Sequence, residues 1–144
     1  MADTHTYTTS LSWSDTRRGV ISSAGLQDLT VATPPEFPGG IPGIWSPEHL
    51  FVASAEVCLM TTFLAIAENS KVEFVSYSSQ AVGTLEKTES GFQFTRIVVR
   101  PHVVISDESR VDRVQRILQK AEQHCLISNS MKTVVELEAT VTVS

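Results

Sequence analysis

Cys58 and Cys125 are the two thiols of the chain. A thiol of pKa ~8.5 is only about 3% ionised at pH 7, and a guanidinium beside it turns it into a nucleophile by lowering that value. The gain from ionisation saturates at roughly thirtyfold, so further rate must come from stabilising a transition state. Arg17 and Arg18 are the only Lys or Arg residues before Lys71, against seven acids. An arginine turned inward can bind a carboxylate and a thiolate or ligand oxygen with one planar fork. Glu48 is the natural carboxylate. Each group also has a plainer reading. The cysteines can be small hydrophobes in a core, the arginines exposed turn charges, and Glu48 a complement to a helix dipole.

The elements that must position these residues are readable from patterning. Ser46-Pro47-Glu48 is a helix start, with a hydroxyl at the N-cap, proline at the first position and a carboxylate in the first turn. The helix runs from Pro47 to about Glu68 and is apolar on nearly all sides, so it reads as buried. Glu48 and Cys58 are ten residues apart on it, which is about 15 Å along a straight axis. Either the helix bends, or Arg and Glu of one subunit meet Cys58 of another. The second is preferred, and it makes a homodimer a condition of activity.

Ahead of the helix, Thr4–Trp13, Gly19–Ala24 and Leu29–Ala32 read as short strands. Five of the six prolines then fall between Pro34 and Pro47 with Gly39, Gly40 and Gly43, so this segment is an ordered loop. After the helix, Val72–Leu85 and Phe92–Ile105 read as a hairpin around Glu86–Gly91. Asp107 caps an amphipathic helix with Val111, Val114, Ile117, Leu118, Ala121 and Cys125 on one stripe. Thr133–Val143 is a final strand. Strands that cluster rather than alternate with helices imply an α+β fold with a largely antiparallel sheet, in one domain over residues 1–144.

Composition narrows the function. A chain of 144 residues with 42% hydrophobic and 19% charged residues is globular. A net charge of −5 argues against nucleic acid or an anionic membrane as partner. The stretch Leu50–Ala67 holds Glu56 as its only charge. It just reaches spanning length, but the central acid and the polar dilution favour burial in protein. The start Met1-Ala2-Asp3-Thr4-His5 has no signal-peptide pattern, so a cytoplasmic location is expected. His49 and His124 match no zinc spacing with the cysteines, so no metal is expected. Arg100, Arg110, Arg113 and Arg116 read as solvated charges.

These residues together resemble the OsmC/Ohr family, the osmotically inducible and organic hydroperoxide resistance proteins. Gly39-Gly40 in a Pro/Gly loop, then Ser46-Pro47-Glu48-His49-Leu50-Phe51 with Ala53, Ala55 and Cys58, is similar to its loop and central-helix motif. His124-Cys125-Leu126-Ile127-Ser128-Asn129 is similar to its second cysteine motif, although Leu126 stands where proline is usual. Arg17-Arg18-Gly19 with Ser22-Ser23 resembles its N-terminal arginine segment. The resemblance implies an OsmC-like fold, with largely antiparallel sheets around a long buried central helix, and an intertwined homodimer with interfacial sites. It implies a peroxidase reducing organic hydroperoxides in oxidative-stress defence, with Cys58 peroxidatic and Cys125 resolving. Arg17 with Glu48 would hold Cys58 ionised, the doubled arginine making Arg18 the next choice. Phe37, Ile41 and Trp45 would wall an apolar pocket. No metal, haem or flavin is implied, and the reductant is a dithiol of the lipoyl type, carried on a lipoylated protein. The alternative is a non-enzymatic relative that binds a small hydrophobic ligand or senses oxidants at the dimer interface.

Overall fold

The computed structural model describes residues 3–144, so Met1 and Ala2 of the start discussed above lie outside the described residues. The chain divides into two compact units, Met1–Phe51 and Val52–Ser144.

The first unit holds an antiparallel three-stranded sheet in the order β1 (Ser10–Asp15), β2 (Arg18–Ser22), β3 (Leu29–Ala32). The first strand is shorter than the pattern predicts. Its ladder with β2 begins at Ser10↔Ser22, and the described residues before Ser10 lie outside that ladder. The Pro/Gly loop is ordered by its own backbone bonds, including Phe37 N–H to Pro34 C=O at 3.1 Å and Ile41 N–H to Thr33 C=O at 2.9 Å. Gly40 is obligatory in it, because a Cβ there would lie 1.9 Å from the Pro34 oxygen. The loop ends beside β3, where Trp45 bridges Val31.

Helix α1 runs uninterrupted over Pro47–Asn69. Ser46 caps it, its Oγ accepting the His49 N–H at 3.2 Å while the Ser46 N–H reaches His49 Nδ1 at 3.3 Å. This is a capping box in which His replaces the usual Glu or Gln. The far end closes with Lys71 in left-handed conformation (φ 56°), Lys71 N–H on Glu68 C=O and Val72 N–H on Ala67 C=O. That is a Schellman arrangement. It takes up the residues the pattern assigns to the start of a strand, so β4 begins only at Ser76.

In the second unit β4 (Ser76–Thr88) and β5 (Gly91–Ile105) form a long antiparallel hairpin. It pairs through Thr88↔Gly91, tighter than the predicted turn, with the Thr88 Oγ1 accepting the Ser90 N–H at 3.1 Å. Asp107 caps a 3-10 turn, Glu108–Arg110, and α2 follows over Val111–Gln123. A short α3 spans Leu126–Asn129. The expected last strand is two, β6 (Val134–Leu137) and β7 (Thr140–Val143), both parallel to β5. Pairing is largely antiparallel, as expected, and these two short parallel pairings make this sheet mixed. The parallel pairing follows from α2, since a helical crossover is what returns a chain parallel to its own strand. The break between β6 and β7 falls opposite Arg100 and Pro101, and proline has no N–H to give the ladder.

Ile97, Val98 and Val99 are consecutive and all buried, so both faces of β5 are covered there. Phe63 of α1 is fully buried against Phe74 and Tyr77, with ring centroids 5.4 and 5.3 Å away. Its truncation to Ala would cost about 3–5 kcal/mol. Glu56 leaves the thiol side of α1 and accepts a hydrogen bond from Ser79 Oγ at 2.5 Å. As its all-round apolar pattern predicts, α1 is only partly covered by its own chain. A single chain buries only Ala55, Cys58, Leu59, Phe63 and Ala67 of it, while Val57 stays 53% exposed. The helix is apolar all round, and one small sheet covers one stripe.

Candidate functional site

The two cysteines come together in the second unit. Cys58 sits in the fourth turn of α1 and Cys125 follows the end of α2, and both are buried and unbridged. Cys125 is not in α2 as its periodicity suggests. The helix stops at Gln123 and Cys125 is the N-cap of α3, in extended conformation. That turn aims the thiol at Cys58, and the two sulfurs hydrogen-bond to each other.

Their environments push the pair apart. Burial raises the Cys58 thiol, but hydrogen bonds from the Cys125 thiol, the Ile127 N–H, the Thr62 hydroxyl and the Leu126 N–H outweigh it, and the net effect is a lowered pKa. Thr62 Oγ1 lies 3.9 Å from the sulfur, one helical turn on. For Cys125, burial raises the value and donation to Cys58 raises it further, while Ser128 works in the opposite direction. Ser128 Oγ donates to Cys125 Sγ at 3.3 Å. Hydrogen-bond donors around Cys58 thus make its thiol more acidic than usual, while burial makes the neighbouring Cys125 less so. Two thiols whose acidities diverge can divide the parts of nucleophile and resolving group.

The remaining candidates lie in the first unit. Arg17 occupies the β1–β2 turn, which Trp13 closes by donating Nε1 to the Thr16 C=O at 3.1 Å. Its side chain lies over Gly39, where a Cβ would come within 2.8 Å of Nε. Arg18, on β2, pairs with Asp15 at 3.4 Å. Glu48 is half-buried, and its Oε1 is shielded from solvent with no hydrogen-bond partner among the described residues, as is Arg18 Nε. An open groove of about 530 Å³ is lined by Leu11, Trp13, Arg17, Arg18, Val31 and Pro47, among others. Trp45 borders a separate depression of about 260 Å³ with Gly43, Ile44 and His49. Phe37 and Ile41 are half-buried in the Pro/Gly loop and line neither.

Among the described residues no three His, Cys, Asp or Glu side chains are grouped to hold a metal. His49 is engaged with Ser46, Oγ and Nδ1 lying 2.7 Å apart. Of the distal arginines, Arg100 and Arg110 are in exposed ion pairs with Glu138 and Asp107. Arg113 donates to the Ser70 C=O. Thr62, Ser128 and the N–H groups of Leu126 and Ile127 were not singled out from the sequence. A signal for Ser128 is present, a hydroxyl three residues after an N-cap position.

The profile of OsmC-like proteins matches residues 40–140, and the chain belongs to the OsmC/Ohr family. It is 29% identical over 143 residues to the uncharacterized protein YmaD of Bacillus subtilis, covering 96% of this chain and 93% of YmaD. An OsmC-like protein of unknown function from Vibrio cholerae superposes with a TM-score of 0.86 at 26% identity, over 94% of this chain and 99% of that one. An organic hydroperoxide resistance protein from Elizabethkingia anophelis, with thiocyanate bound, shares the fold at a TM-score of 0.78 and 20% identity over the whole of both chains.

Proposed function

We propose that the protein is a thiol-dependent peroxidase that reduces organic hydroperoxides to alcohols in oxidative-stress defence. The observation that carries this reading is that the fold brings Cys58 and Cys125, both buried and unbridged, into contact with each other. The Cys58 thiolate attacks the terminal peroxide oxygen, the O–O bond breaks, and the alkoxide leaves and takes up a proton. Cys58 is then a sulfenic acid. The Cys125 thiolate attacks that sulfur, the disulfide forms, and hydroxide leaves to become water. Two electrons have passed from the thiols to the peroxide. A dithiol reductant of the lipoyl type, carried on a lipoylated protein, returns the pair to thiols by closing its own disulfide.

Arg17 and Glu48 supply the charge that orients the peroxide and stabilises the departing oxygen. In this reading they come from one subunit of a homodimer and Cys58 from the other. The unpartnered, shielded Glu48 Oε1 supports it, because such an atom calls for a partner. So does the apolar stripe that α1 leaves uncovered. The groove beside Arg17 and Arg18, with Leu11, Trp13 and Val31 along it, suits a polar peroxide head on an apolar tail, and Phe37, Ile41 and Trp45 would extend its apolar wall. By length and composition α1 is a helix that could cross a membrane. Its stripe of protein-buried residues supports a core helix of a soluble protein instead.

A second reading, a non-enzymatic protein that binds a small hydrophobic molecule or senses oxidants, is favoured by the same groove, whose lining contains neither thiol. Reduced protein mixed with cumene hydroperoxide, and separately with hydrogen peroxide, separates the two. Peroxidase chemistry consumes both thiols with a two-hydrogen fall in intact mass, faster with the organic peroxide. Cys58→Ser abolishes it, and Cys125→Ser allows one oxidation and then stalls. Thiols that remain reduced under both oxidants would overturn the peroxidase reading in favour of binding.

A further inference from the structure

Cys125 must change character between the two half-reactions. With Cys58 reduced it is a hydrogen-bond donor to the other sulfur. To close the disulfide it must itself carry the negative charge, because the thiolate is the attacking species. That charge would arise in a poor place for it. Cys125 is 1% exposed, and the void beside it measures about 10 Å³, at or below the space one water needs. Ala55 and Leu59 of α1 and Val99 of β5 present apolar surface to this void, and the two acidic residues along it, Glu122 of α2 and Glu136 of β6, bring no positive charge. Glu136 is occupied by Arg96 at 2.7 Å. His124, the neighbour in sequence, is exposed. None of the described residues lining this void is a cation, so a protein donor of the same unit takes up the charge.

Ser128 is positioned to do so. The turn that makes Cys125 an N-cap brings the residue three positions on back over the sulfur, and the Ser128 hydroxyl donates to Cys125 Sγ at 3.3 Å. We infer that Ser128 is the positioning residue of the resolving step, its hydroxyl holding the Cys125 sulfur toward Cys58 and stabilising the thiolate that attacks the sulfenic acid. The inference rests on the peroxidase reading and adds a division of labour to it. The N–H groups of Leu126 and Ile127 serve the Cys58 sulfur, and Ser128 serves Cys125. One turn between α2 and β6 thus supplies donors to both sulfurs in succession. The atoms balance as above: the new S–S bond replaces the S–O bond of the sulfenic acid, and the hydroxide released takes a proton to become water.

The magnitude follows from two opposed effects. Loss of one hydrogen bond to a charged sulfur lowers the thiolate population about tenfold below its midpoint. The less acidic thiolate is intrinsically more nucleophilic, which returns about threefold at a Brønsted coefficient near 0.4–0.5. In Ser128→Ala the rate of disulfide closure relative to Cys58 oxidation therefore falls about threefold near pH 7, and its pH profile moves to higher pH. Ser128→Thr, which keeps the hydroxyl, restores both. The experiment is a single turnover of the full chain with cumene hydroperoxide, with dimedone trapping of the sulfenic acid and intact mass for the disulfide. In parallel, the ultraviolet absorbance of the Cys125 thiolate is titrated in Cys58→Ser with and without Ser128→Ala. Accumulated sulfenic acid and an upward-shifted Cys125 titration in the Ala variant, both rescued by Thr, support the role. Unchanged closure and an unchanged titration would overturn it. A wild-type protein that ignores the peroxide would sink the peroxidase reading, while the titration alone would still decide whether Ser128 stabilises the Cys125 thiolate.

Discussion

The thiol region of the second unit and the arginine-glutamate region of the first are finished to different degrees. Around Cys58 the donors are in place: a thiol, a hydroxyl and two N–H groups, all from Val52–Ser144. Around Glu48 and Arg18, buried polar atoms stand without partners. Buried polar atoms in native proteins are almost always satisfied, and in the proposed shared site these two would meet the other subunit. The thiols thus draw their donors from their own unit, whereas in the proposed homodimer the arginine and the carboxylate are left to be completed by a partner.

Mixing two inactive variants breaks this comparison most sharply. Arg17→Met is expected to slow Cys58 oxidation on the order of a hundredfold, the scale of one lost transition-state donor, and Cys58→Ser to abolish it. If the site is shared between subunits, denaturing and refolding the two together returns up to about a quarter of wild-type activity, since half the dimers are mixed and each has one intact site. No recovery would place both residues in one chain. A smaller effect tests the thiol side alone. Leu126→Pro removes one N–H from the Cys58 sulfur at a position where a helical turn tolerates proline. Cys58 should become less acidic and its oxidation at neutral pH several-fold slower, measurable by stopped-flow thiol loss, while α3 and the fold persist. Equal rates for the two proteins would mean that the N–H contributes nothing.

The smallest effect concerns Tyr77. Burial, assisted by the negative charge of Glu56, pushes its phenol up to about 12 from an ordinary 10.0. A raised folded-state pKa means that this contribution to stability is intact below about pH 10 and is lost as the pH rises toward 12. Tyr77→Phe should flatten the alkaline limb of a denaturation-midpoint profile between those values and leave the neutral range nearly unchanged. An unaltered alkaline slope would show that Tyr77 does not cause it.

The boundaries of α1 and the existence of the Pro/Gly loop were legible in the sequence because they rest on local chemistry: a Ser-Pro-Glu start and a run of residues barred from helix and strand. Cys58 and Cys125 were legible as candidates from residue type. The split of the last strand was not, because it depends on Pro101 sitting opposite residues far along the chain. Nor was the place of Cys125. Helical periodicity carries on to it from Ala121, yet the chain leaves the helix two residues before it, and only the resulting turn gives the sulfur its direction. The Schellman end of α1 was missed for a related reason, since its C′ residue is Lys71 rather than the glycine that would have announced it.

The parallel crossover through α2 also fixes an order of events. Its closing contacts, such as Arg96 with Glu136, join residues 40 positions apart, and non-local pairings of this kind form slowly because loop entropy is lost before the contact is gained. Cys125 rides on that crossover, whereas Cys58 lies on a helix whose hydrogen bonds are all local. The second thiol is therefore delivered late in folding, and an oxidant that meets a half-folded chain finds Cys58 before its partner has arrived.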